Sequence, residues 1–300
     1  MSRINAYVCL ADPAYIAESV RSYYHLVDTI VVSYDHLSVG WTGAKIPVDE
    51  CLAQLKAADP ENKMRFRPGD FHSPELTPVQ LDTYQRQTAL DEASEGADWV
   101  LQLDTDEVMS DTKTFRECLA LTEAAGKEAL HYPSRWLFAA VNEKYFLESS
   151  SRLWQPLASY PGPVAVRPGH KLSVCRQAPT ASLFRVDIRK QNTDPWYPKD
   201  TPVDHVIDQD SAIWHFSMVR SDEHMLNRLK WHTHHDDPVW KSKMEYWFWA
   251  KKHPLMAVMT TPFRRKRDWA SYRVLRLTKV ELAEEIQTRQ PKRQIESAIR

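Results

Sequence analysis

The sequence predicts an α/β fold with a mostly parallel central sheet, helices on both of its faces and a helical C-terminal extension. Two observations carry this expectation. β-Prone runs alternate with helix-spaced apolar residues over the first hundred positions, and the fourth such run, "VLQLDTDEV" from Val100 to Val108, ends in three carboxylates within four residues. The 300 residues suffice for one domain of about 200–250 residues with an appendage. An apolar share of 43% beside 26% charged residues is that of a globular chain.

"INAYVCLA" is a β-prone run, "PAYIAESVRSYYHLV" places Ile16, Val20, Tyr23 or Tyr24 and Val27 at helical spacing, and "DTIVVSYD" is rich in β-branched residues. Strand, helix and strand in about 30 residues imply a parallel pair with a right-handed crossover. "PVDECLAQLKAA" follows as a helix, "KMRFRPG" as a short strand, and "TPVQLDTYQRQTALDEASEGA" as a helix that Gly96 can terminate. After "DWVLQLDTDEV" come a helix over "KTFRECLALTEAAG" and a strand over "EALHYPSRWLF". Residues 150–212 read as mixed strands and loops, and from "SDEHMLNRLKWHTHH" onward the pattern is helical, with breaks at "HHDDP" and "KKHP". The expected division is 1–220, in halves 1–110 and 111–220, followed by 221–300.

No stretch reaches the roughly 20 apolar residues of a membrane-spanning helix. The start lacks a basic segment leading into an apolar run and a cleavage site, so a cytoplasmic location is the expectation. Cys9, Cys51, Cys118 and Cys175 form no CxxC pair and read as buried thiols. A formal net charge of −1 disfavours a general nucleic-acid binder, which needs excess Lys and Arg.

In an open parallel sheet, ligands bind beyond the carboxyl ends of the strands, where Asp104, Thr105 and Asp106 fall. Along an extended segment Asp104 and Asp106 point to one side and make an oxygen-rich site suited to Mg²⁺ or Mn²⁺ bridging carboxylates to phosphate. The structural alternative is a solvated strand end with an Asp-rich turn.

"RQTALDEASEGADWVLQLDTDEV" resembles the segment of GT-A fold glycosyltransferases, of the broad family 2 kind, in which an Arg-started helix leads into a strand ending in the D-x-D motif. The run "YVCLADPAYIAESVRSYYHLVDTIVVSYDHLSVGWTG" is similar to the nucleotide-binding opening of the same family, so the resemblance covers roughly residues 4 to 110. It implies a Rossmann-like GT-A catalytic domain over 1–220, with a nucleotide-sugar half and an acceptor and metal half.

By this resemblance Asp35 faces the base, Arg86 lies near the base or diphosphate, and the Ala11–Asp12 backbone lines the nucleotide pocket. Asp104 contacts the ribose or a metal-bound water, and Asp106 holds the metal. The turn "DHLSVGWTG" departs from the family's usual acidic, Gly-rich form. "WHFSMVR" resembles the element whose histidine completes the metal site, which assigns His215 as a ligand and favours Mn²⁺; a buried histidine bonded within a strand is the alternative. An inverting transferase needs a base for the acceptor hydroxyl. Asp187, Asp204, Asp208 and Asp210 are available in the expected place, with Asp204 first and Asp208 second. "HTHHDD", His232 to Asp237, reads as capping or solvated residues ahead of a metal site.

"WKSKMEYWFWAKKHPLMAVMTTPFRRKRDW" interleaves Trp240, Trp247, Phe248, Trp249 and Trp269 with cations. These aromatics either pack a helical pair onto the domain or meet a membrane interface or an acceptor. The expected activity is metal-dependent transfer of a sugar from a nucleotide diphosphate, UDP ahead of GDP, to a hydroxyl acceptor, saccharide or lipid-linked, in surface polysaccharide or glycolipid synthesis. The place of action would be the cytoplasm or the inner face of its membrane. Alternatives are a sugar-1-phosphate nucleotidyltransferase, a non-catalytic carbohydrate- or partner-binding module, and a glycosyltransferase acting on modified DNA bases.

Overall fold

The computed structural model describes residues 2–142, 145–228, 230–231, 238–264 and 271–276. β1 (Ile4–Cys9), α1 (Ile16–Tyr23), β2 (Thr29–Asp35), α2 (Val48–Ala57), β3 (Met64–Gly69), α3 (Pro78–Ala93) and β4 (Trp99–Gln102) follow in turn. β1 pairs parallel with both β2 and β4, and β2 with β3, so β1 is central. The chain crosses from one side of β1 to the other between β3 and β4.

Alternation along β1 supplies both faces of the sheet. Ala6 and Val8 point into a core with Ile16 and Val20 of α1 and with Cys51 and Leu55 of α2. Tyr7 points into a core with Ala89, Leu90 and Ala93 of α3. Strands buried on both faces are near-continuously apolar, which is why "INAYVC" and "TIVVSY" carry so few charges. α3 starts at a capping box in which Thr77 Oγ1 accepts from Gln80 N and Gln80 Oε1 accepts from Thr77 N. Beyond its end Gly96 takes φ +68, open to glycine without the cost of a Cβ.

β5 (Glu107–Val108), α4 (Thr112–Ala124), β6 (Ala129–His131), β7 (Ser134–Ala140), β8 (Tyr145–Ser149), β9 (Ala165–Val166), β10 (Leu183–Asp187), β11 (His205–Val206) and β12 (Ile213–His215) come next. Two sheets result, one ordered β11-β10-β6-β9-β4-β1-β2-β3 and one containing β8-β7-β12-β5. The single strand expected over "EALHYPSRWLF" is divided, because Pro133 lacks the donor to continue a ladder and the chain leaves β6 in one sheet for β7 in the other.

α5 (Asp222–Arg228), α6 (Pro238–Lys252) and α7 (Pro254–Met259) agree with the helical reading of the C-terminal part, with the break at "KKHP". Tyr272–Arg276 departs from it. That segment is β13, antiparallel to β8, and it extends the second sheet to β13-β8-β7-β12-β5. Trp247 is fully buried with Phe138, Leu147, Met244 and Tyr272, and its Nε1 donates to Phe138 O at 2.8 Å. This aromatic packs the extension, and Phe248 and Trp249 lie partly buried against the same core. Trp269 and the cluster His232 to Asp237 lie outside the described residues, as does the side chain of Trp240. The cysteines are free; Cys51 and Cys118 are buried, Cys9 and Cys175 half-buried.

Candidate nucleotide and metal site

The site forms where β1 and β4 run out side by side. β4 stops at Gln102, two residues short of the first aspartate, and the chain turns, with Glu107 N donating to Asp104 O at 3.1 Å and Asp104 N donating to Glu107 Oε2 at 3.0 Å. The expectation that Asp104 and Asp106 share one side of an extended segment is corrected by this turn. Asp104 meets Arg86 Nη2 at 2.8 Å, whereas Asp106 meets His215 Nε2 at 3.2 Å and Arg220 Nη2 at 3.1 Å. β5 then joins the second sheet, pairing Glu107 with His215 of β12.

Asp12 is a side-chain hub, beyond the backbone role expected for it. Its Oδ1 accepts from Ala14 N at 2.9 Å, closing the turn after β1, and lies 2.9 Å from His224 Nε2. Its Oδ2 meets Arg220 Nε at 3.3 Å and Arg228 Nε at 3.5 Å. Arg228 Nη2 also lies 3.5 Å from Asp106. Two carboxylates and two guanidiniums, brought from the turns after β1 and β4 and the segment around α5, thus compensate one another in the interior. An unpaired charge there would cost several kcal/mol.

Burial alone would raise the pKa of Asp106, but His215, Arg228 and Arg220 outweigh it and hold the carboxyl well below the usual range. Asp104 is lowered in the same way, burial being outweighed by Arg86 and Arg176, and Asp12 by His224, Arg220 and Arg228. His215 is raised, because Asp106, Glu107 and Asp104 outweigh the burial that would push it down.

Among the described residues Asp104, Glu107 and His215 each offer a ligand atom within 4.8 Å of the others. His215 Nδ1 is buried without a hydrogen-bond partner, 3.8 Å from Glu107 Oε1. An orphaned imidazole nitrogen beside two carboxylates fits a divalent cation, and the single nitrogen among oxygens suits Mn²⁺ as well as Mg²⁺. Asp104 is the half-buried member that solvent and ligand can reach, with 29% of its side chain exposed. Glu107 is held by Arg176, whose Nη1 and Nη2 donate to its two oxygens at 2.5 and 2.7 Å. Asp106, expected as the metal ligand, approaches this group through His215 while its other oxygen faces the two arginines.

A narrow, partly enclosed cleft adjoins the carboxyl ends of β1 and β2, lined by Leu10, Ala11, Asp35, Trp41, Gln85 and Trp231 among others. Asp35 and Ala11, assigned by resemblance to the nucleotide pocket, both line this cleft. The Asp35 carboxylate accepts from Leu37 N, Val39 N and Phe71 N, so it also shapes the cleft wall. Trp41 Nε1 donates to Gln85 Oε1 at 2.8 Å, and Gln85 precedes Arg86 on α3. Arg86 is buried between Asp82 at 2.6 Å and Asp104.

The expected bases are not part of this cluster. Asp204 stands beside β11, the edge strand separated from β4 by β10, β6 and β9, and its carboxylate accepts from Arg185 N at 2.7 Å. Asp208 is exposed and accepts from Asp210 N at 2.8 Å, capping a short 3₁₀ turn. Asp187 is fully buried on Thr193, and Asp210 meets Arg135 at 3.1 Å.

Sequence reasoning missed Glu107 as a ligand candidate, the Arg176 that holds it, and Arg220, His224 and Arg228. Arg220 stands within the quoted "WHFSMVR", yet its carboxylate partners are 208 and 114 positions away, so no local spacing exposes them. No signal in the local pattern marks these arginines as buried.

No family model matches the chain, and no curated protein matches it. Among solved structures, mannose-6-phosphate isomerase from Helicobacter pylori aligns at 10% identity over 49% of this chain and 56% of its own, with a TM-score of 0.28. Mannose-1-phosphate geranyltransferase from Thermus thermophilus aligns at 14% identity over 56% of this chain and 51% of its own, with the same TM-score of 0.28. The chain spans about half the length of each of these structures, and a likeness at this TM-score carries no argument about fold or activity. What the chain itself shows is a mixed α/β fold with a mostly parallel central sheet, and at its carboxyl edge an Asp-Glu-His group able to hold a divalent metal.

Proposed function

We propose that this chain is an enzyme of nucleotide-sugar chemistry that binds a nucleoside-diphosphate sugar, with a divalent cation, at the carboxyl ends of β1, β2 and β4. The observation that carries the reading is the convergence of Asp104, Glu107 and the unpartnered Nδ1 of His215 at the carboxyl end of the central sheet, with a narrow cleft at the ends of β1 and β2 on the other side of the central strand. Trp41 and Trp231 offer ring surfaces to a base in that cleft. Asp104 faces the cation and Arg86 the diphosphate. When bound, the cation offsets charge developing on the leaving diphosphate. Arg220 and Arg228 hold Asp12 and Asp106 ionised, which fixes the turn after β4 and orients His215.

Within this class the first finer reading is a GT-A glycosyltransferase with the D-x-D sequence Asp104-Thr105-Asp106, moving the sugar to a hydroxyl acceptor. The second is a sugar-1-phosphate nucleotidyltransferase, which shares a metal-bound diphosphate with the first. Its usual device, a Gly-rich phosphate loop after the first strand, has no counterpart in "LADPAYIAES", where Asp12 instead holds two arginines.

The test is thermal-shift melting against UDP-, GDP-, CMP- and dTDP-linked sugars with and without Mn²⁺, followed by product analysis on whichever donor binds. Release of nucleoside diphosphate and transfer of sugar support the first finer reading. Release of nucleoside triphosphate from donor plus pyrophosphate supports the second. Cation-independent binding with no turnover, or no binding by any donor, overturns the nucleotide-sugar enzyme.

A further inference from the structure

The C-terminal part carries an apolar surface that the proposed chemistry does not use. Leu255, Met256 and Met259 of α7 are 71%, 52% and 66% exposed, and Phe263, in the 3₁₀ turn that follows, is 87% exposed. The underside of this segment is anchored, since Ala257 and Thr261 are fully buried and Thr261 Oγ1 accepts from Tyr272 N of β13 at 2.8 Å. A second segment extends the surface. Trp154 Nε1 donates to Val258 O at 3.0 Å, and its neighbour Leu153 is 75% exposed. Large apolar side chains exposed singly are ordinary; a group gathered by two touching segments marks a surface that meets something.

The charge around it is mainly positive: Lys251 is paired with Asp222 at 2.6 Å and Arg273 with Glu148 at 3.4 Å, while Arg152 and Lys252 stand exposed. From Tyr246 to Arg267 the sequence has no Asp or Glu, while Lys251, Lys252, Arg264, Arg265, Lys266 and Arg267 flank the apolar residues at both ends. Arg152 stands exposed beside Leu153, and Arg273 Nη1 donates to Trp154 O at 3.5 Å. The whole chain has a formal net charge of −1, so this concentration of cations is local.

We propose that α7, the 3₁₀ turn after it and the Leu153–Trp154 tip form a membrane-docking surface for an anionic bilayer. Leu255, Met259, Phe263 and Leu153 enter the headgroup boundary, Trp154 lies at the interface level, and Arg152, Lys252 and Arg264 meet anionic headgroups. No helix among the described residues is long and apolar enough to cross a membrane, so the segment lies on the surface. A second copy of the chain fits less well, because a two-fold contact would set this basic rim against itself. The surface lies at the β13 edge of the second sheet, and Glu107 and His215 lie at the β5 and β12 end, so docking leaves the metal site free. The inference does not depend on the nucleotide-sugar reading.

The experiment is co-sedimentation of the full chain with vesicles of phosphatidylcholine alone and of phosphatidylcholine containing about one-third phosphatidylglycerol. The expected result is binding to the anionic vesicles that falls at least about fivefold in Met259→Ser/Phe263→Ser, in Arg152→Glu/Lys252→Glu and in about 0.5 M salt. Both serine positions are exposed, so melting temperatures should stay at the wild-type value, and a variant that melts early is replaced by Leu255→Ser/Phe263→Ser. Absence of binding to either vesicle, or equal binding by wild type and both double variants, overturns the proposal. So does concentration-dependent self-association, without vesicle binding, that the serine variant abolishes.

Discussion

Asp12 and Asp106, which follow different strands, share the guanidinium of Arg220, whose Nε lies 3.3 Å from Asp12 and whose Nη2 lies 3.1 Å from Asp106. The same arginine donates to Phe216 O at 2.5 Å and sits 4.7 Å from the ring of Tyr15. One buried cation therefore ties the turn after β1, the turn after β4 and the segment after β12 into a single frame around the candidate site.

Arg220→Met should destabilise the fold by about 3–5 kcal/mol, since it leaves two buried carboxylates with less compensation. Arg220→Lys should recover part of this loss, because an ammonium restores the charge without the planar fork. Urea denaturation monitored by tryptophan fluorescence reads both. A Met variant within about 0.5 kcal/mol of wild type would show that Arg228 and His224 alone suffice.

Arg176 and Glu107 should behave as a coupled pair. Arg176→Met strands a fully buried carboxylate and should cost about 3–5 kcal/mol, whereas Arg176→Met/Glu107→Leu should cost less than the sum of its single changes. A double-mutant cycle gives the coupling, and additivity would mean that the pair is not what holds the turn after β4.

Gly162→Ala should destabilise by about 1–3 kcal/mol. The added Cβ would lie 2.6 Å from Arg176 Cγ and 2.7 Å from Arg176 O, so the backbone that carries Arg176 must move. Thermal melting checks the loss, and a weaker response to Mn²⁺ should accompany it as Glu107 loses its support.

Acid should unfold the chain through Asp12, Asp104 and Asp106. Each has a folded pKa below its unfolded value, so its stabilisation is complete above about pH 4 and is lost as pH falls further toward the folded value. His215 acts oppositely. Its folded pKa is raised, so its contribution is complete below about pH 6 and declines as pH rises through the folded value. Melting temperatures from about pH 2.5 to 9 should fall on the acid side, with a shallower acid slope in Asp106→Asn. An unchanged slope would place the acid sensitivity elsewhere.

Mn²⁺ at about a hundredfold above its dissociation constant should stabilise the native chain by about 2.7 kcal/mol. EDTA should reverse the shift, and Asp104→Asn, Glu107→Gln and His215→Ala should each abolish it. Isothermal titration supplies the affinity, and wild-type affinity in all three variants would put the cation at another site.

The parallel sheet was legible because its evidence is local. β1, β2 and β4 announce themselves as apolar runs of the right length, α3 by its capping box, and the carboxyl-end position of Asp104 follows from strand order alone. The wrong step was to continue β4 through "LDTDE". Local alternation cannot show that Glu107 is drawn away to pair with His215 in another sheet, or that "EALHYPSRWLF" is shared between two sheets. β13 escaped for the same reason: "YRVLR" is short, and only β8 beside it makes it a strand.

The sequence by itself determined the α/β class and the presence of an acidic cluster after β4, since each rests on residues within one turn or one strand of each other, whereas the cleft at the ends of β1 and β2 is assembled from residues as far apart as Leu10 and Trp231. The tertiary structure decided which carboxylates face a cation and which face arginines. That division depends on charges from distant segments meeting in a medium where water does not screen them: Arg220 and Arg228 take Asp12 and Asp106, Arg176 takes Glu107, and Asp104 is left half-buried with Arg86 beside it.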